Sequence, residues 1–360
     1  MTPTCRAART LSRTPPNPYG KDALVATSVR ATSDGSPPSS RPAPSTSRRG
    51  DPGAPGGWRT RLYRFDTKAS PYAYIAPFFL VFAAFGLFPL IYTGWLSLHN
   101  VQLGESGSGS WVGFDNYTNL WDNQFFWKAL RNTFTLGVIS TVPQLLMALG
   151  LAHLLNFKLR GRGFFRVAIL APYATSIAAA ALVFVQLFNP DYGMINQLLG
   201  HFGVDGIRWD SSKWPAQIAI SSIVTWRWTG YNALIYLAAM QAVPADLYEA
   251  AALDGASRWR QFISVTIPSI RPTIFFTIIV STIGATQLFG EPLIYGGGVG
   301  PTGGTDHQYQ TLSLYMYDKG WQVGQLGQAS AVAWVMLLIL LLIGAVQLLF
   351  VRSNRRKLGG

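Results

Sequence analysis

Six apolar stretches constrain this chain more than any motif in it: residues 72–98, 132–155, 165–188, 216–240, 273–295 and 326–351. Each is close to the ~20 residues that span a bilayer hydrocarbon core. Within hydrocarbon every backbone N–H and C=O must be bonded inside the protein, which leaves helices or a closed barrel. Runs this long and this continuously apolar read as helices. The expected fold is therefore an all-α integral membrane protein with six transmembrane helices. Only 12% of the residues are charged, yet the formal net charge is +13, an excess that in a soluble chain would suggest nucleic acid. Its placement argues against that. Most of the 29 basic residues fall in four places: before Pro71 (Arg6 to Lys68), at Lys158, Arg160, Arg162 and Arg166, at Arg258, Arg260 and Arg271, and at Arg352, Arg355, Arg356 and Lys357. An even number of spans puts all four on one side, and positive loops mark the cytoplasmic side. The expectation is a multi-pass protein of the cell membrane with both termini cytoplasmic, membrane lipid around it and no nucleic-acid partner.

Residues 1–70 are expected to form a disordered, basic cytoplasmic tail. The first 57 are rich in Pro, Ser, Thr, Gly, Ala and Arg and hold too few large apolar side chains to bury a core. They contain no apolar segment before a small-residue cleavage site and do not read as a signal peptide. Residues 71–351 form the transmembrane domain and 352–360 a second basic cytoplasmic tail. Cys5 is the single cysteine, so no internal disulfide is possible.

Between the fourth and fifth stretches lies the one well-patterned polar segment of the second half. Pro244 opens a helix at its first position, and Asp246 and Glu249 place negative charge in the first turn, where the helix dipole favours it. Leu247, Ala250 and Leu253 share a face. Gly255 suits a left-handed cap, Ser257 N-caps a second short helix from Arg258 to Thr266, and Pro268 ends it. Glu249-Ala250-Ala251, Gly255, Val265, Ile267 and Pro268 resemble, in order and spacing, the EAA loop of ABC-importer permease subunits. Asp254 and Phe262 resemble its carbohydrate-uptake branch. Val265 and Ile267 stand where Ile and Leu are usual. The resemblance implies that this loop is cytoplasmic and docks into a cleft on a separate ATPase subunit. It marks Glu249, Ala250, Ala251, Asp254, Gly255 and Pro268 as the ATPase-coupling residues.

The segment Gly113-Phe114-Asp115-Asn116-Tyr117, followed by Phe126 to Thr133, resembles the start of the conserved transport core of sugar permeases, which would then run over residues 130–347. The implied partners are a second permease, two ABC ATPase subunits and an extracytoplasmic sugar-binding protein. Polar groups within a span are costly and usually face a cavity or a neighbouring helix. Thr225, Trp228, Tyr231 and Asn232 follow helical spacing in the fourth span, and rings beside hydrogen-bonding groups suit a sugar. Trp228, Tyr231, Asn232, Ser281 and Gln287 are the expected substrate-cavity residues. Arg227 and Glu291 could pair or could each sit at an outer interface. Gly296-Gly297-Gly298 and Gly303-Gly304 are expected to form a flexible outer loop. They are no phosphate cradle, since no Gly-Lys-Ser/Thr follows.

The histidines are scattered, and no metal spacing, nucleophile elbow or Walker motif is present. Neither a cofactor nor catalysis by this chain is expected, so ATP must be hydrolysed by another chain. A permease for glycerol phosphate stays open through Arg227. A stand-alone secondary carrier would need a coupling site in the spans, where Glu291 is the one candidate.

Overall fold

The structure, a computed structural model, describes residues 57–104, 109–157, 160–297 and 302–358, and the side chains of 70–349 within them. Helix α1 (Gly57–Phe82) continues through a π turn (Ala83–Leu87) into α2 (Phe88–Ser97). The strands β1 (His99–Asn100) and β2 (Ser110–Trp111) pair antiparallel, with His99 opposite Trp111. There follow α3 (Asp115–Asp122), α4 (Gln124–Asn156), α5 (Arg162–Ala174), α6 (Ile177–Leu187), α7 (Met194–His201) and α8 (Lys213–Gln241). Next come α9 (Ala245–Leu253), α10 (Arg258–Gln261), a π turn (Phe262–Thr266), α11 (Ile267–Ser269), α12 (Arg271–Thr286), α13 (Gly290–Tyr295), α14 (Leu312–Tyr317) and α15 (Leu326–Leu358).

The tail assigned to residues 1–70 lies outside the described residues up to residue 56. From Gly57 onward it is helical rather than disordered. Trp58, Leu62 and Phe65 are spaced four and three apart, a helical period that the compositional argument passed over.

Among the described residues three helices are long and apolar enough to cross a membrane, and up to five if two bent pairs each count as one span. The three are Ser70–Ser97, α4 and the stretch Leu326–Leu349 of α15. Helix α8 is 29 residues long and also of crossing length, but Lys213, Gln217, Ser221, Thr225, Arg227 and Asn232 lower its apolarity.

The third expected span is not one straight helix. Helices α5 and α6 meet at 91°. Pro172, in the last turn of α5, has no N–H to extend the ladder, and Thr175 and Ser176 are extended with ψ of 141° and 138°. The fifth is interrupted as well: α12 stops at Thr286 and α13 restarts at Gly290, with Pro292 in its first turn. The bend between Arg258–Ser269 and α12 is 69°.

Helix α8 is the axis of the unit that begins at Pro71, and it packs chiefly along α4. Ala148, Ala152 and Leu155 of α4 meet Ala233, Tyr236, Leu237 and Met240 of α8, with Phe262 of the second π turn and Ile270, just after α11, closing the cluster. Small residues on α4 let the two backbones approach, as membrane helices require. At the other end of α4, Phe126 and Ala129 pack with Leu120, Leu312, Tyr315, Ala331 and Val332.

Candidate functional site

The segment expected to couple to an ATPase is built as its sequence implies, with two adjustments. Pro244 is the N-cap itself (ψ 136°), so Ala245 takes the first helical position. Pro268 lies within α11, and the chain turns at Ile270. Gly255 adopts φ +76°, the left-handed region that costs a glycine little. Its position is open: a Cβ there would meet no atom within 4 Å. Ala256 N–H donates to the Ala251 carbonyl at 2.9 Å and Gly255 N–H to that of Ala252 at 3.0 Å, the two bonds of a Schellman stop. The Ser257 hydroxyl caps α10 by accepting from Arg260 N–H at 3.4 Å.

This helix–corner–helix is fastened to the end of α4. The His153 and Phe262 rings are 4.1 Å apart and the Arg258 guanidinium lies 5.5 Å over the Phe157 ring, while inside the segment the Tyr248 and Thr266 hydroxyls are 3.0 Å apart. Glu249, Ala250, Asp254, Gly255 and Pro268 are exposed and Ala251 is half-buried. Leu247, Leu253 and Trp259 stand out with them, Leu253 at 90% exposure.

Four of the five expected cavity residues come together. Trp228, Tyr231, Asn232 and Ser281 line a cavity of about 250 Å³ between α4, α8 and α12, with Thr141, Gln144, Val224 and Leu288 among its other walls. Gln287 lies elsewhere: it is exposed and lines a groove with Thr93, Phe289, Tyr317 and Trp321. Helix α12 has ended one residue before it, so Gln287 is not held on the helix that carries Ser281.

Two neighbours had no place in the sequence reading. Gln144, buried in α4, donates to the Ser281 hydroxyl at 3.5 Å. An amide in an apolar span was a visible signal for it. Tyr173 of α5 stacks on Tyr231 at 4.7 Å and 21° and meets Trp228 edge-on at 5.1 Å. No spacing along α8 could reveal a ring supplied by another helix. Gly230 allows this contact, because a Cβ there would lie 1.6 Å from the Ile169 carbonyl oxygen of α5. Among the described residues, no charged side chain lines the cavity.

Arg227 and Glu291 pair within the bundle, at 3.1 Å and with side chains 8% and 6% exposed, so neither sits at an outer interface. Among the described residues no three His, Cys, Asp or Glu side chains gather as a metal site.

The expected flexible outer loop is corrected in its second half. Gln308, Tyr309, Gln310 and Thr311 are buried, and Gly303 and Gly304 pack directly on Gln310 and Gln308. The Asn132 amide donates to the carbonyls of His307 (2.7 Å) and Gln310 (3.2 Å), and the Gln217 amide to Asn132 Oδ1 (3.1 Å) and the Gln308 carbonyl (2.9 Å). Polar side chains from two helices thus satisfy the backbone of the strap, which glycine content alone could not foretell. Burial pushes the Tyr309 phenol up to about 12. On the strap's exposed side, the Lys128 ammonium, bonded at 2.7 Å, holds the Asp306 carboxyl below its usual range.

Residues 144–358 match the family described as binding-protein-dependent transport system inner membrane component. The chain is 36% identical to the lactose transport system permease protein LacF of Rhizobium radiobacter, over 79% of this chain and 94% of that protein. It is 33% identical to the arabinooligosaccharides permease AraP of Bacillus subtilis (81% and 91%) and 31% identical to the sn-glycerol-3-phosphate permease UgpA of Escherichia coli (81% and 97%). A subunit of a bacterial alginate ABC transporter, solved with an alginate pentasaccharide-bound periplasmic protein, shares its fold with a TM-score of 0.66 at 24% identity, covering 83% of this chain and 98% of that one.

Proposed function

Because this chain belongs to the family of inner membrane components of binding-protein-dependent transport systems, we propose that it is the sugar-translocating permease of an ATP-driven importer, working on a di- or oligosaccharide. One observation carries the substrate class: Trp228, Tyr231, Asn232 and Ser281 converge on a cavity without a charged wall. Ring faces accept the apolar faces of a sugar, while the amides and the hydroxyl accept or donate to its hydroxyls. The similarity to a glycerol-phosphate permease supports a second reading. Against it, Arg227 is neutralised by Glu291 and lines no part of the cavity. The buried carboxylate is committed in the same way, which leaves a stand-alone secondary carrier without its coupling group.

In this reading the subunit crosses the membrane six times. Helices α5 and α6, α8, and α12 with α13 supply the third, fourth and fifth passages, and both termini are cytoplasmic. The segment from Glu249 to Pro268 docks on a separate ATPase, so this chain is not itself an enzyme. Exposed Leu247, Leu253 and Trp259 give that docking an apolar face. A second permease, two ATPases and an extracytoplasmic sugar-binding protein complete the importer. The basic placement and the fastening of the coupling segment to α4 support this arrangement.

The test is Tyr231→Ala in the assembled importer. Losing a stacking face and a hydroxyl costs on the order of 1–3 kcal/mol of solute contact, seen as slower uptake at normal abundance. Uptake unchanged in rate and affinity would remove the cavity from the transport path.

A further inference from the structure

The Arg227–Glu291 pair is buried in a bundle whose cavity it does not line. Stability gives little reason for it, since a buried ion pair replaced by apolar side chains of similar volume often leaves a fold as stable or more so. A guanidinium, however, carries five N–H groups in a planar fork and can serve two acceptors at fixed angles. Here one nitrogen donates to Glu291 Oε1 at 3.1 Å and the other to the Thr175 carbonyl at 3.4 Å. Thr175 is the C-cap of α5, where the chain turns through 91° into α6. Carbonyls at such an end have no partner in their own helix, and none comes from solvent inside a membrane.

We propose that Arg227 is a positioning residue for the cavity, holding the α5–α6 break at Thr175 and so seating the Tyr173 ring against Tyr231. Tyr173 lies between two attachments of α5 to one turn of α8. On one side the Ile169 carbonyl rests on Gly230, where no Cβ could stand. On the other the Thr175 carbonyl is held by Arg227. Between them Tyr173 completes a cluster of three rings with Trp228 and Tyr231. Glu291, in the first turn of α13, cancels the guanidinium charge and ties the α12–α13 interruption to the same point. The ring whose seat is set here matters to transport only if the cavity takes the solute, so the functional half of this proposal rests on that reading.

Two measurements separate the halves. Biosynthetic 3-fluorotyrosine gives each tyrosine of the reconstituted importer a fluorine signal, and Tyr173→Phe identifies the one sought. In the double replacement R227M/E291M, the Tyr173 signal is expected to shift in the direction seen with Tyr231→Ala, with no solute present. If that pair does not accumulate, Arg227→Lys keeps a charge for Glu291 but lacks the planar fork, and the same shift is expected. A wild-type signal in either accumulated variant overturns the positioning role, whatever the cavity binds. The second measurement is ATP hydrolysis stimulated by the binding protein purified with the ligand it retains from cells. R227M/E291M is expected to lose stimulation several-fold, as Tyr173→Ala does, and combining the three changes should lose no more. Losses that multiply overturn action through Tyr173. A Tyr173→Ala variant with full stimulation, beside a shifted fluorine signal, would instead refute the cavity as the solute site.

Discussion

Gly230→Ala is the smallest change that should break the cavity from outside it. The added Cβ would lie 1.6 Å from the Ile169 carbonyl oxygen and 2.5 Å from its carbon. An ordinary C···O contact is about 3.3 Å, so α5 must retreat by roughly 1.7 Å, and a backbone obstacle cannot rotate away as a side chain does. Overpacking of this kind costs on the order of 1–3 kcal/mol, and the upper end applies when a helix must move. Displacing α5 also loosens the Tyr173–Tyr231 stack, about 0.5–1.5 kcal/mol beyond buried area. Against this stands the better helix propensity of Ala, about 1 kcal/mol. The net expectation is a destabilisation of roughly 2.5–3.5 kcal/mol, read as a lower midpoint of thermal unfolding in detergent, together with slower uptake. Gly150→Ala in α4 is the control, since a Cβ there meets no atom of this chain within 4 Å. If Gly230→Ala and Gly150→Ala unfold alike and transport alike, α5 does not rest on α8 as described.

In Gly255→Val the added Cβ meets no atom within 4 Å, so the chief cost is the backbone's, about 1–2 kcal/mol at a left-handed position. The variant should leave the subunit in the membrane yet abolish co-purification with the ATPase and uptake, and normal stimulated hydrolysis would remove this corner from coupling. Asn132→Ala strips hydrogen bonds from the His307 and Gln310 carbonyls and from the Gln217 amide. Each buried group left unpaired costs on the order of 1–3 kcal/mol, so faster proteolysis of segment 302–311 is expected, and wild-type resistance would refute its anchoring. In a Cys5→Ser background, an impermeant thiol reagent added to intact cells should label Ser211→Cys and spare Ser264→Cys, both exposed positions. The reverse labelling would invert the topology.

What the sequence revealed, and what it hid, follows the range of the interactions involved. The Gly255 corner is local: a helix stop, a cap and a period lie within twenty residues, and backbone physics reads them directly. The face of Trp228, Tyr231 and Asn232 is also local, because helical spacing places side chains of one helix. Helix breaks fall between. Pro172 marks one and Pro292 another, but a proline in a membrane helix can be absorbed by a kink as easily as by a 91° turn. The outcome depends on what receives the freed carbonyl.

At Thr175 the receiver is Arg227, fifty-two positions away in the chain. Contacts of this range explain why Arg227 and Glu291 are ambiguous as single letters, and why no spacing along α8 points to Tyr173. They also explain the strap at 302–311. A run of glycines and polar residues reads as mobile when taken alone, since its internal turn bonds leave part of its backbone unmet. Asn132 and Gln217, on two other helices, satisfy it instead. A polar side chain in a membrane helix is therefore best treated as a question about which distant carbonyl lacks a partner. In this chain the prolines and glycines show where such carbonyls are, and the buried amides and the guanidinium show where they are met.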